Sequence, residues 1–88
     1  MKIKEGFILR EIAGSFVVVP VGQNLVDFSS MITTNETGAF LWNELQNGAT
    51  EDELCAKIMA EYEGISAEEA LNDIREFVGV LKEKNILE

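Results

Sequence analysis

Residues 29–42 read SSMITTNETGAFLW, and the fold is decided by how this stretch divides. Its first half holds Met31-Ile32-Thr33-Thr34, a short run rich in β-branched residues, whose stiff side chains suit a pleated strand. Its second half opens a helix. Thr34 or Asn35 can accept hydrogen bonds from the free amides of a first turn, and Glu36 lies where the helix dipole favours negative charge. Gly38, Leu41, Trp42 and Leu45 then recur at i, i+3, i+4 and i+7, one face of an α-helix. A strand therefore runs directly into a helix whose apolar face must fold back onto something.

Upstream of this junction two strand-like runs, FILREI (7–12) and SFVVVP (15–20), are separated only by Ala13-Gly14, the spacing of a tight hairpin. Pro20 lacks an amide donor and belongs at a strand end or edge. Both faces of this hairpin are largely apolar, yet a single layer of helices covers only one. The other face is met by loops and termini, by a partner, or by a second copy of the chain. Residues 21–30 read as a loop around Gly22, Gln23 and Asn24, with Phe28 as an early start for the third strand.

Downstream, Asn47-Gly48 closes the first helix. Thr50-Glu51-Asp52-Glu53 has the form of a capping box, and Leu54, Cys55, Ile58, Met59 and Tyr62 follow on one stripe. Gly64 ends that helix, and Ser66-Ala67-Glu68-Glu69 repeats the capping pattern with Ile65 as a staple. The last helix turns Ala70, Leu71, Ile74, Phe77, Val78 and Leu81 inward, and Ile86-Leu87 return to the core after it. The order is β-β-β-α-α-α: an α+β domain with an N-terminal three-stranded antiparallel sheet followed by a three-helix bundle.

With 88 residues the chain reads as a single domain, 1–88, and 47% hydrophobic residues are too many for a disordered one. Sixteen acids against seven bases give a net charge of −9, which repels a phosphate backbone, and no Lys/Arg cluster offsets it. Nucleic acid is not an expected partner. There is one cysteine and no histidine, so no internal disulfide forms and the commonest general base and metal ligand are missing. The start MKIKEGF lacks a signal-peptide core and no apolar run reaches bilayer length, so a cytoplasmic protein without membrane contact is expected. Cys55 is the one candidate nucleophile and sits on an apolar stripe with nothing to activate it. The acids in first turns are accounted for by capping, and no glycine pattern cradles phosphate. The reading is of a non-enzyme with no catalytic residue, metal or cofactor.

What remains is geometric. A three-stranded sheet leaves unpaired main-chain groups along its edges. Ser29, Ser30, Thr33 and Thr34 are uncharged, and the third strand carries neither the proline nor the lysine that usually blocks edge pairing. An extended peptide can add there as a fourth strand, walled by the last helix; alternatively the chain's own loop covers the edge.

The segment NETGAFLWNELQNGATEDEL (35–54), with Tyr62, Asp73, Phe77-Val78, Leu81 and the final NILE, resembles the PqqD-like proteins, named for pyrroloquinoline quinone biosynthesis protein D. FILREIAGSFVVVPVG (7–22) is similar to their N-terminal half, so the likeness spans nearly the whole chain. It implies a winged-helix-like domain that recognises ribosomally made, post-translationally modified peptides. Such a domain binds the leader of a precursor peptide and presents it to a modifying enzyme, often a radical S-adenosylmethionine (SAM) enzyme. The resemblance carries the leader site onto Phe28, Ser29, Ser30, Met31, Ile32 and Thr33, and onto a flank of the last helix bearing Leu71, Ile74, Arg75, Val78 and Lys82. That flank is chosen because Arg75 and Lys82 would meet acidic leader residues. Two rival readings are a winged-helix nucleic-acid regulator, which needs a basic surface, and a structural subunit that forms a homodimer through the second sheet face.

Overall fold

A computed structural model describes residues 1–22 and 32–88. Three strands, β1 (Phe7–Ile12), β2 (Ser15–Pro20) and β3 (Ile32–Thr34), precede three helices, α1 (Glu36–Leu45), α2 (Glu51–Glu61) and α3 (Ala67–Glu83). The sheet is antiparallel in the order β1-β2-β3, so the expected α+β order is the one observed. The early strand start at Phe28 and most of the loop expected over 21–30 lie outside the described residues.

The hairpin turn is Ala13-Gly14 with φ of +52° and +83°, both left-handed, as a type I′ turn between right-twisted strands requires. Glycine accepts this freely; Ala13 does so against its Cβ. Each helix is then started by a side chain. Asn35, not Thr34, caps α1, its Oδ1 accepting from Gly38 N at 2.9 Å. Thr50 and Glu53 form the full capping box of α2, each side chain accepting from the other's amide at 3.1 and 3.0 Å. At α3 the box is one-sided: Ser66 Oγ accepts from Glu69 N at 3.1 Å. Its other end is a Schellman motif, with Asn85 left-handed at φ +60°, Asn85 N donating to Lys82 O and Ile86 N to Leu81 O. That reversal turns Ile86 and Leu87 into the core, where Leu87 bridges Ile3.

Helices cover one face of the sheet. Val18 on that face is fully buried among Leu41, Trp42, Leu45, Leu54, Ile58, Ala70, Ile74, Phe77, Val78 and Leu81, with Phe7, Leu9 and Ile32 packed at the margin. On the other face Ile8, Val17 and Val19 are half-buried and Ile12 is 57% exposed. The α2 stripe is narrower than its sequence implies. Leu54 and Ile58 are buried, Cys55 and Tyr62 lie at the border, and Met59 is 46% exposed, because the core meets α2 along a single i, i+4 line. Cys55 is thus half-buried, its Sγ 3.9 Å from Met59 Sδ.

Candidate functional site

The free edge follows from the ladder. In an antiparallel pair, residues alternate between those that bond to the neighbour and those whose N–H and C=O point away from it. The two-residue turn makes Ile12↔Ser15 a bonded pair of β1 and β2, and Val21 N donating to Gly6 O at 2.8 Å keeps the same phase at the far end. Phe16 and Val18, out of phase with that set, direct their main-chain groups toward β3, where they face Thr34 and Ile32. Thr33 lies between these two and turns its N–H and C=O outward. Among the described residues nothing pairs with β3 on that side.

A cleft of about 380 Å³ opens beside this edge, between β3 and α3. Ile32, Thr33 and Thr34 form one wall; Asp73, Glu76, Phe77 and Val80 form the other; Gly38 and Leu41 of α1 lie between them. On α3 those four residues recur at i, i+3, i+4 and i+7, a single stripe. Phe77 and Leu41 are buried and supply an apolar floor, while Asp73 and Glu76 are exposed at the rim. Gly38 lies where α1 comes close to β3. A Cβ there would overlap the Thr34 hydroxyl and lie 2.9 Å from Thr34 Cβ, so only glycine lets the strand run this close to the helix that follows it.

The flank of α3 expected from the sequence is not the one on the cleft. Ile74 and Val78 are buried core residues, and Leu71 is half-buried. Arg75 faces α2, where Nη2 and Nε donate to Glu51 Oε1 at 2.8 and 3.1 Å; this pairing raises the pKa of its guanidinium further. Lys82 is exposed and also off the cleft. The physical reason is rotational: the inward stripe Ala70, Ile74, Phe77, Leu81 fixes the helix about its axis. The side bearing Asp73 and Val80 then faces β3, and the side bearing Arg75 faces away. Ile32 and Thr33 do line the cleft, whereas Phe28, Ser29, Ser30 and Met31 lie outside the described residues.

The sequence does not place Asp73, Glu76 and Val80 beside β3, because α3 presents more than one polar–apolar border and periodicity does not say which border meets the sheet. The acids at the starts of helices are explained structurally; Glu53, for example, is held below the usual glutamate range by the hydrogen bonds it makes with Thr50. Among the described residues no group of three or more His, Cys, Asp or Glu is placed to hold a metal ion, and no helix is long and apolar enough to cross a membrane.

Comparison with solved structures finds a chain described as TbiB1 in complex with the TbiA(beta) leader peptide. Its TM-score is 0.75 at 25% sequence identity, over 100% of this chain and 95% of that one. A comparison with curated proteins finds no match. The family model for coenzyme PQQ synthesis protein D matches residues 15–87, from the second hairpin strand through all three helices to the Leu87 bridge. By that match over most of its length, the chain belongs to the PqqD family.

Proposed function

We propose that this chain is a noncatalytic module that captures the leader of a ribosomally made precursor peptide and holds it for a separate modifying enzyme of the radical SAM type. The leader adds as a strand beside β3 and lays alternate side chains into the cleft against α3. The observation that carries this reading is the outward-facing main chain of Thr33 running directly beside a cleft with an apolar floor. TbiB1, similar over the whole of this chain, is a protein seen with a leader peptide bound, which supports the same use here.

Magnitudes divide the work between edge and cleft. Main-chain bonds contribute about 0.5–1.5 kcal/mol each, so the two that Thr33 offers supply only about 1–3 kcal/mol. Micromolar binding needs about 8 kcal/mol. The remainder must come from further edge bonds and from apolar side chains buried on Ile32, Leu41 and Phe77, at about 25 cal/mol for each Å² removed from water. The edge sets register and direction; the cleft sets affinity and choice of sequence.

The test uses peptides selected on the intact chain from a displayed library of random linear sequences, with affinity read by fluorescence polarisation. Thr33→Pro removes the donor that faces outward and leaves the bonds to β2 intact. It is expected to weaken binding by about tenfold or more, equivalent to about 1.4 kcal/mol, without changing the unfolding midpoint greatly. Ile32→Pro is the contrast, because it deletes a bond to β2 and lowers stability itself. Wild-type affinity in Thr33→Pro would dispose of strand addition at this edge.

A further inference from the structure

Resting on the reading just given, we infer that the peptide taken by this cleft carries a lysine or arginine directed at Asp73 and Glu76, an even number of residues from an apolar side chain seated on Phe77. Two charged side chains line the cleft, and both are acids. Neither carboxylate has a hydrogen-bond or ion-pair partner among the described residues, although Arg75 and Glu51 on the other side of α3 are paired with each other. The α3 border of the cleft is therefore uncompensated negative charge beside an apolar floor, and an acidic segment laid there would meet like charge at short range. The net charge of −9 works in the same direction at longer range, drawing in basic chains and slowing acidic ones.

Strand geometry adds the spacing. Only alternate side chains of an added strand point to the α3 side, so a basic residue and an apolar anchor that both enter the cleft must stand two or four positions apart along the peptide, never one or three. This reverses the complementarity expected from Arg75 and Lys82. Arg75 is already neutralised by Glu51, and neither base borders the cleft.

The experiment selects random linear displayed peptides on the wild-type chain, on Asp73→Lys/Glu76→Lys and on Thr33→Pro. Both acids are exposed, so their replacement leaves the core untouched. Wild-type selections should be enriched in Lys or Arg at an even spacing from an apolar residue, and the charge-reversed variant should turn that position to Asp or Glu. For one selected peptide, changing the basic residue to glutamine should weaken binding about two- to fivefold for each carboxylate contacted, and less at high salt. Binders that depend on Thr33 but show no basic preference, or keep it on the charge-reversed chain, overturn this inference and leave the leader-binding proposal standing. Basic peptides that bind Thr33→Pro as well as wild type reveal attraction to the whole acidic surface and overturn it too. A selection that yields no Thr33-dependent binder removes the leader-binding proposal, and this inference with it.

Discussion

Gly38→Ala puts the junction of β3 and α1 under direct strain. Alanine is the better helix former by about 0.8–1 kcal/mol, so on propensity alone the variant would be more stable. Against this, the new methyl would overlap the Thr34 hydroxyl and stand 2.9 Å from Thr34 Cβ and 3.1 Å from its Cγ2. Rotating the threonine moves one γ substituent away and brings another closer, while the Cβ contact stays because it is anchored to the backbone of β3. Overpacking of this kind typically costs about 1–3 kcal/mol. The balance is a net loss of about 1 kcal/mol, relieved by moving β3 away from α1. Since β3 is also one wall of the cleft, peptide affinity should fall by more than stability alone would explain. Urea unfolding can be followed through Trp42, the one tryptophan, which is 1% exposed in the folded chain. Thr34→Ala in the same chain removes the γ contacts and should recover part of the loss, giving a double-mutant coupling of about 0.5 kcal/mol or more. A Gly38→Ala chain that is more stable than wild type and binds peptide equally well would refute the claim that this close approach shapes the site.

Three further outcomes are expected. Ala13→Gly should stabilise the chain by about 1 kcal/mol in thermal or urea unfolding, because a left-handed alanine costs about 1–2 kcal/mol and part of that returns as unfolded-state entropy. Thr50→Ala should cost about 1 kcal/mol near neutral pH by removing the cap of α2. Glu53 is depressed in the folded state, so its contribution is present above the unfolded carboxyl pKa and fades as pH falls through the folded one; the gap between Thr50→Ala and wild type should therefore narrow in acid unfolding curves. Gly79→Ala should raise stability by about 0.5–1 kcal/mol in the same assay, since a Cβ at this exposed α3 position meets nothing within 4 Å.

Elements, caps and core were legible from residue order because each rests on local chemistry. The hairpin follows from two strand runs separated by Ala13-Gly14, the start of α2 from Thr50 and Glu53, and the buried stripe of α3 from apolar residues at helical spacing. Of the residues that line the cleft, Thr33 and Thr34 belong to the strand that the edge argument singles out, and Ile32 joins them through the family resemblance. The α3 side of the cleft was not legible, and neither was the place of Met59, which lies on the apolar stripe of its helix yet remains exposed.

What the sequence by itself determined was which segments become strands and helices and most of the side chains that leave water, since propensity, capping and periodicity act within a few residues. Only the tertiary structure decided which border of α3 faces β3, and with it the sign of the charge along the cleft. That choice depends on how Ala70, Ile74, Phe77 and Leu81 seat against residues distant in the chain and fix the helix about its own axis. Seating β3 along the opposite border of the same buried stripe would exchange Asp73 and Glu76 for side chains such as Arg75 without altering the periodic pattern at all.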